Sequence, residues 1–185
     1  MSVSRRVPRA YDGAAGAVPR GVSGGQYVAD PDAEEVVVFL VGMRINRLRK
    51  VRSWWPVFWG MQQMLRELEG ADKGLLGAHK FAFGRLLVVV QYWRSPQELG
   101  AYARESTMRH APAWGAFNKE TAASGDVGIF HETYVVPRGG IETVYGNMTR
   151  FGLADATRWV ARGSSTVRTS AHERLATTQP EYVEG

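Results

Sequence analysis

The sequence predicts an α+β fold in which one antiparallel four-stranded sheet carries two helices on a single face, in the order βαββαβ. Three observations carry that prediction. β-branched, apolar runs without helical periodicity fall near residues 36–45, 86–93 and 127–136. Two segments with apolar residues at helical spacing lie between them, and a turn at Gly84-Arg85 joins the middle strands as a hairpin. A chain of 185 residues with 44% hydrophobic content supports one sizeable core. The expected organisation is a mobile arm over residues 1–30, one compact domain over 31–161 and a flexible tail over 162–185.

The first strand, V-V-V-F-L-V-G-M-R-I-N from Val36, is apolar on both faces. From Ser53 the pattern changes. Trp54, Val57, Phe58, Met61, Leu65 and Leu68 recur at helical spacing, with Ser53 as the expected N-cap, Pro56 in the first turn and Gly70 at the end. The string L-L-G-A-H-K-F-A-F-G-R-L-L-V-V-V-Q-Y-W then reads as the hairpin. Its second arm, Leu86 to Trp93, is apolar at nearly every position, so both faces of that strand should be covered. Two helices cover one face. The other needs a ligand, a lid or a partner subunit.

S-P-Q-E at Ser95 to Glu98 is a capping box with proline at the first helical position, and Leu99, Tyr102 and Ala103 form the stripe of a second helix. A break at Ala111-Pro112 separates it from a further helical piece holding Trp114, Phe117 and Asn118. Gly125-Asp126 introduces the fourth strand, V-G-I-F-H-E-T-Y-V-V, which Pro137-Arg138-Gly139-Gly140 ends. This is the split βαβ, or ferredoxin-like, arrangement. Beyond it, I-E-T-V-Y-G-N-M reads as a short strand and Leu153 to Ala161 as a short helix.

Cysteine is absent, which removes disulfides, thiolate metal sites and cysteine nucleophiles, and fits a cytoplasmic home. The run from Val36 to Met43 is far below the roughly 20 residues of a membrane-spanning helix. Arg5-Arg6 is followed by no apolar export segment. The net charge of +5 is concentrated locally, at Arg44, Arg47, Arg49, Lys50 and Arg52 and in the arm. Beside Trp54, Trp55 and Trp59, such a run could meet phosphates or lipid headgroups. The plainer reading, a solvated loop feeding a helix whose aromatics are core, is preferred. Nucleic acid is not an expected partner, because no recognition module accompanies the charge.

No P-loop, dinucleotide fingerprint, H-E-x-x-H or G-x-S-x-G is present, so any chemistry must come from a cavity over the uncovered sheet face. Alternation on the fourth strand puts His131 with Ile129 and Thr133, and Glu132 with Phe130 and Tyr134. One of His131 and Glu132 therefore faces the cavity as a proton acceptor, or ties the strand structurally to a helix. His110, Trp114 and Asn118 would share one face if their helix were continuous. His79, beside Phe81 and Phe83, reads as a core or dimer-interface residue. The histidines lack carboxylates at metal-ligand spacing, so no metal site is expected, but one axial histidine would suffice for haem.

The strings L-L-G-A-H-K-F-A-F-G-R-L-L-V-V-V-Q-Y-W-R-S, R-H-A-P-A-W-G-A-F-N and D-V-G-I-F-H-E-T-Y-V-V-P resemble a monooxygenase-like family of unknown function in the dimeric α/β-barrel superfamily, a family that includes a fungal terpenoid-pathway monooxygenase. The resemblance runs from about Glu35 to Leu153. It implies a homodimer in which two sheets close a barrel around a substrate cavity. It carries over His110, His131 and Glu132 as candidate catalytic residues, with Trp114, Asn118 and Tyr134 as candidate substrate-binding residues. The leading expectation is a small cofactor-independent monooxygenase acting on an apolar or enolisable metabolite. The alternatives are a haem-dependent enzyme resembling aldoxime dehydratases and a non-catalytic protein that binds a hydrophobic ligand.

Overall fold

A computed structural model of the chain describes residues 18–30, 32–69, 71–105 and 124–162. The described elements are β1 (Ser23–Ala29), β2 (Glu35–Ile45), α1 (Val51–Glu69), β3 (Leu75–Phe83), β4 (Leu86–Trp93), α2 (Pro96–Arg104), β5 (Val127–Pro137), a 3-10 turn at Arg138–Gly140, β6 (Tyr145–Met148), α3 (Gly152–Ala156) and β7 (Trp159–Ala161). They group into two units. One spans Glu35–Val135; the other joins the residues up to Glu34 with those from Val136 onward.

The first unit holds the expected sheet, in the order β3-β4-β2-β5. Taken in chain order, its last and first strands adjoin and its third lies between first and second, which is the ferredoxin-like arrangement. β2 pairs antiparallel with β4 from Val37↔Trp93 to Arg44↔Leu86, and β3 pairs with β4 around the Gly84 turn, where φ is +59°. Only glycine takes that backbone angle without steric cost. Alternation then divides each strand. Met43, Ile45 and Val89 meet Met61 and Leu65 of α1, with Val127 of β5. Val37 and Trp93 meet Leu68 of α1 and Tyr102 of α2. Each fully buried side chain of this size contributes roughly 1.5–3 kcal/mol to folding.

The helices follow the predicted stripes with three differences. α1 begins at Val51 rather than after Ser53, so Ser53 is not its cap. The Ser53 hydroxyl donates instead to Asp126, and the earlier start places Pro56 beyond the first turn, where it has no N–H for the carbonyl four residues back. Ala103, expected in the buried stripe of α2, is exposed, because Tyr102 and Leu99 already fill the contact with Trp93 and Val37. Gly70 and the helical piece expected after Pro112 lie outside the described residues. Ser95 is the N-cap: its Oγ accepts from the Glu98 N–H at 3.2 Å and donates to Glu98 Oε2 at 3.2 Å, with Pro96 as the first helical residue.

Among the described residues, Trp93 and Asp126 make buried polar contacts in the core of the first unit. Trp93 is fully buried, and its indole N–H donates to Gln91 Oε1 at 2.8 Å. At the start of β5, buried Asp126 accepts from Arg47 at 2.8 Å and from Ser53 at 3.0 Å, while its carbonyl accepts the N–H groups of Asn46 and Arg47. One aspartate thus holds the loop after β2 through its carbonyl and, through its carboxylate, Arg47 of that loop and Ser53 in the first turn of α1. Burial would raise its pKa, but the Ser53 hydroxyl, the Arg47 guanidinium and the Lys50 charge more than offset this and hold it below the usual aspartate range.

The second unit corrects the expected domain plan. Residues 23–29, assigned to the arm, form the middle strand of a three-stranded sheet ordered β6-β1-β7. The expected strand within 141–148 is β6, but the helix expected from Leu153 to Ala161 is a short helix followed by β7. Local periodicity could not show this, because β1 pairs with strands more than a hundred residues away. Trp159 lies 5.1 Å from Tyr27 and 5.0 Å from Tyr145, ring centre to ring centre. Asp30 binds Arg138 at 3.1 Å and also pairs with Arg158. Burial raises the pKa of the Tyr145 phenol, whose oxygen accepts from the Ala154 N–H.

Two outcomes follow from the buried polar groups. Asp126 gains its folded-state pKa depression from partners absent in the unfolded chain, so its stabilisation is complete above about pH 3.9 and is lost as pH falls through the lower folded value. Asp126→Asn should therefore flatten the acid limb of a stability-versus-pH curve measured by urea unfolding. Gln91→Ala should cost about 1–3 kcal/mol in the same assay by leaving the Trp93 N–H without a partner.

Candidate functional site

The face of the first unit's sheet away from α1 and α2 is built by the even-numbered residues of β2, β4 and β5 and the odd-numbered residues of β3. Cross-strand pairing sets its rows: Gly77, Tyr92 and Val38; His79, Val90 and Leu40; Phe81, Val88 and Gly42; Phe83, Leu86 and Arg44. Phe130 of β5 lies over Gly42, and a β-carbon there would sit 2.5 Å from both the Phe130 ring and the Leu87 carbonyl oxygen. Glycine in this strand is what lets the Phe130 ring come this close to the sheet. Phe81 and Phe83 stack at 6.1 Å, and His79 meets Tyr92 edge-on at 6.3 Å. The surface is aromatic and aliphatic, with few polar groups.

Those polar groups include one coupled pair. Tyr134 donates its hydroxyl hydrogen to Glu132 Oε2 at 2.7 Å, the two side chains lying two residues apart on the same face of β5. The hydrogen bond to the carboxylate, then its charge and then burial raise the pKa of the Tyr134 phenol, which keeps it a donor at neutral pH. Glu132 and Tyr134 are both exposed within one chain. His131 points the other way: it belongs to the helix side with Ile129, and its ring centre lies 5.9 Å from that of Phe39, which packs on the core. The choice between His131 and Glu132 is thereby resolved geometrically, with Glu132 on the open face.

His110, Trp114 and Asn118 lie outside the described residues. His79 is on the open face rather than in the core. Among the described residues, no group of three or more histidine, aspartate and glutamate side chains could hold a metal ion. Sequence reasoning passed over Gly42 and Phe130. The available signal was a glycine interrupting an otherwise apolar strand, which marks a close approach.

Strand order and helix placement define a ferredoxin-like α+β protein whose apolar sheet face lies opposite its helices. The chain belongs to the Monooxygenase af470-like family, whose model matches residues 36–153. A curated relative from Aspergillus fumigatus, named Monooxygenase af470, is 28% identical over 134 residues, covering 66% of this chain and 46% of the relative. The chain therefore spans about half the length of that relative. Among solved structures, an aldoxime dehydratase in complex with butyraldoxime is similar over 85% of this chain and 45% of its own, with 16% identity and a TM-score of 0.45. A possible oxidoreductase from Bacteroides thetaiotaomicron matches over 56% of this chain and 99% of its own, at 13% identity and a TM-score of 0.39. A putative antibiotic biosynthesis monooxygenase from Chloroflexus aurantiacus matches over 60% and 98%, at 12% identity and a TM-score of 0.38. At these scores the structural likenesses carry no argument about chemistry.

The close approach at Gly42 is open to direct measurement. Gly42→Ala should force the Phe130 ring off the sheet and lower stability by about 1–3 kcal/mol, seen as a reduced unfolding midpoint and a displaced Phe130 in a crystal structure of the variant.

Proposed function

We propose that this protein is a small monooxygenase that uses no bound cofactor and acts in the cytoplasm on an apolar, enolisable metabolite held against the open sheet face. The observation that carries the reading is the Glu132–Tyr134 pair, the one carboxylate and phenol joined by a hydrogen bond on that aromatic face among the described residues. Membership of a monooxygenase-like family supports it.

In this reading Glu132 takes a proton from an activated CH2 of the substrate, and Tyr134 steadies the carboxylate and the developing enolate oxygen. The carbanion gives one electron to dioxygen. Recombination of the substrate radical with superoxide forms a carbon–oxygen bond, and proton transfer with cleavage of the oxygen–oxygen bond leaves a carbonyl and one water. The substrate thus supplies all four electrons that dioxygen takes up, and CH2 plus O2 becomes C=O plus H2O. His110 is a second candidate base, with Trp114 and Asn118 as substrate contacts; His131 would act by supporting β5 from the helix side. A second copy closing over Val38, Leu40, Val88 and Val90 would exclude water from the face, which strengthens each of these interactions.

Haem chemistry needs an imidazole aimed at the bound group. His131 does not fit that role on the open face, since its ring lies against Phe39 on the helix side.

Dioxygen uptake with a panel of enolisable aromatic ketones tests the proposal. Glu132→Gln should lower kcat by about 10²–10⁴-fold, and Tyr134→Phe by a smaller factor with a raised KM. Unchanged uptake in Glu132→Gln would remove Glu132 as the base, and ligand binding without any uptake would favour the non-catalytic reading. A Soret band on adding haemin, abolished in His79→Ala or His110→Ala, would replace the cofactor-free reading. Sedimentation equilibrium should show a dimer that Val88→Lys converts to monomer.

A further inference from the structure

α1 carries a second apolar stripe that the core does not use. With each residue advancing about 100° around the helix, Val51, Trp55 and Trp59 fall roughly a third of a turn from the Met61, Leu65 and Leu68 stripe. The sequence reading that made these aromatics core holds for Trp54 and Phe58, which pack on the buried cluster. It fails for Trp55 and Trp59, which are 49% and 42% exposed. Their rings stack at 6.3 Å, and the Arg66 guanidinium lies 5.5 Å above the Trp59 ring. Leu48 and Val51, each 50% exposed, extend the stripe into the preceding loop.

Cations border this stripe. No aspartate or glutamate occurs between Arg44 and Glu67, a span that contains Arg49, Lys50 and Arg52. Arg47 and Lys50 act on the buried Asp126 carboxylate, whereas Arg49 and Arg52 form no ion pair among the described residues. The first turn of α1 has no acidic side chain of its own, so Asp126 at Ser53 is the carboxylate set against the positive end of the helix dipole and the cations around it among the described residues. Cations here work against helix stability, and an external anion would relieve that repulsion.

We infer that this face is a docking surface for an anionic lipid bilayer. Lipid phosphates and carboxylates would meet Arg49, Lys50 and Arg52, while Trp55 and Trp59 would enter the interfacial layer that indole rings favour. Leu48 and Val51 decide between partners. A single-stranded nucleic acid would use the cations and the stacked rings but would leave both aliphatic side chains against water, whereas acyl chains cover them. The surface lies on the helix layer, so a second copy on the opposite sheet face would leave it accessible. The inference stands independently of the proposed chemistry.

The test is co-sedimentation of the full chain with vesicles of phosphatidylcholine alone or with about a third phosphatidylserine, alongside tryptophan emission and its quenching by brominated acyl chains. Binding is expected only to the phosphatidylserine vesicles, with blue-shifted, quenched emission and weakening as salt rises from about 0.05 to 0.5 M. Arg49→Gln with Arg52→Gln should weaken binding roughly 25-fold, about fivefold per cation. Trp55→Ser with Trp59→Ser should abolish the quenching. Because these side chains are exposed, the variants should keep the parent's unfolding midpoint, and quenching in the unaltered protein reads insertion without any substitution. Equal or absent binding to both vesicle types overturns the inference, as does undiminished binding by the double arginine variant. Binding to a single-stranded oligonucleotide without binding to vesicles would assign the face to nucleic acid instead.

Discussion

The architecture of the first unit depends on one constraint: β2 and β4 are apolar on both faces, and among the described residues α1 and α2 cover only one of them. Alternation commits Val37, Met43, Val89 and Trp93 to the helices, where burial is most complete. Val38, Leu40, Val88 and Val90 are what remains. Everything proposed about substrate follows from that surplus, since a sheet with one wet face would place polar residues where these stand. The Gly42 and Phe130 contact belongs to the same logic, a ring laid on the sheet where the strand has no side chain of its own.

The strand order was legible because its signals are local. Period-two runs, helical stripes, the Gly84 turn and the Ser95 N-cap each occupy a few consecutive residues, and the strands, the turn and the cap formed where they were expected. Asp126 was legible only as part of a turn. Its partners, Arg47 and Ser53, are more than seventy residues away, and the pairing moves Ser53 from the cap to a side-chain donor. The three-stranded sheet was illegible for the same reason. Its strands are short, and nothing within 23–29 announces a partner beyond residue 140.

The candidate site was legible to the level of two alternatives. Alternation separated His131 from Glu132 but could not say which face the helices cover, since that depends on how α1 and α2 pack on β2 and β4. Phe39 settled it by lying beside His131 on the core side. The cluster of tryptophans shows the opposite limit. Trp54 and Trp55 adjoin in sequence and sit about 100° apart on the helix, so any single assignment of the pair to core or surface had to be half wrong.

Threading β1 through the middle of the three-stranded sheet also fixes an order of events during synthesis. Gly25 receives its side-chain partner from Asn147, 122 residues later. At roughly 5–20 residues per second, β1 waits on the order of 10 s after it is made before either neighbouring strand exists. Through that interval residues 23–29 lack both of their sheet partners, while the residues of the larger sheet have already been made. The glycines of β1 and the adjacent Asp30 and Asp32 suit that wait, for they make β1 a poor template for pairing with another nascent chain.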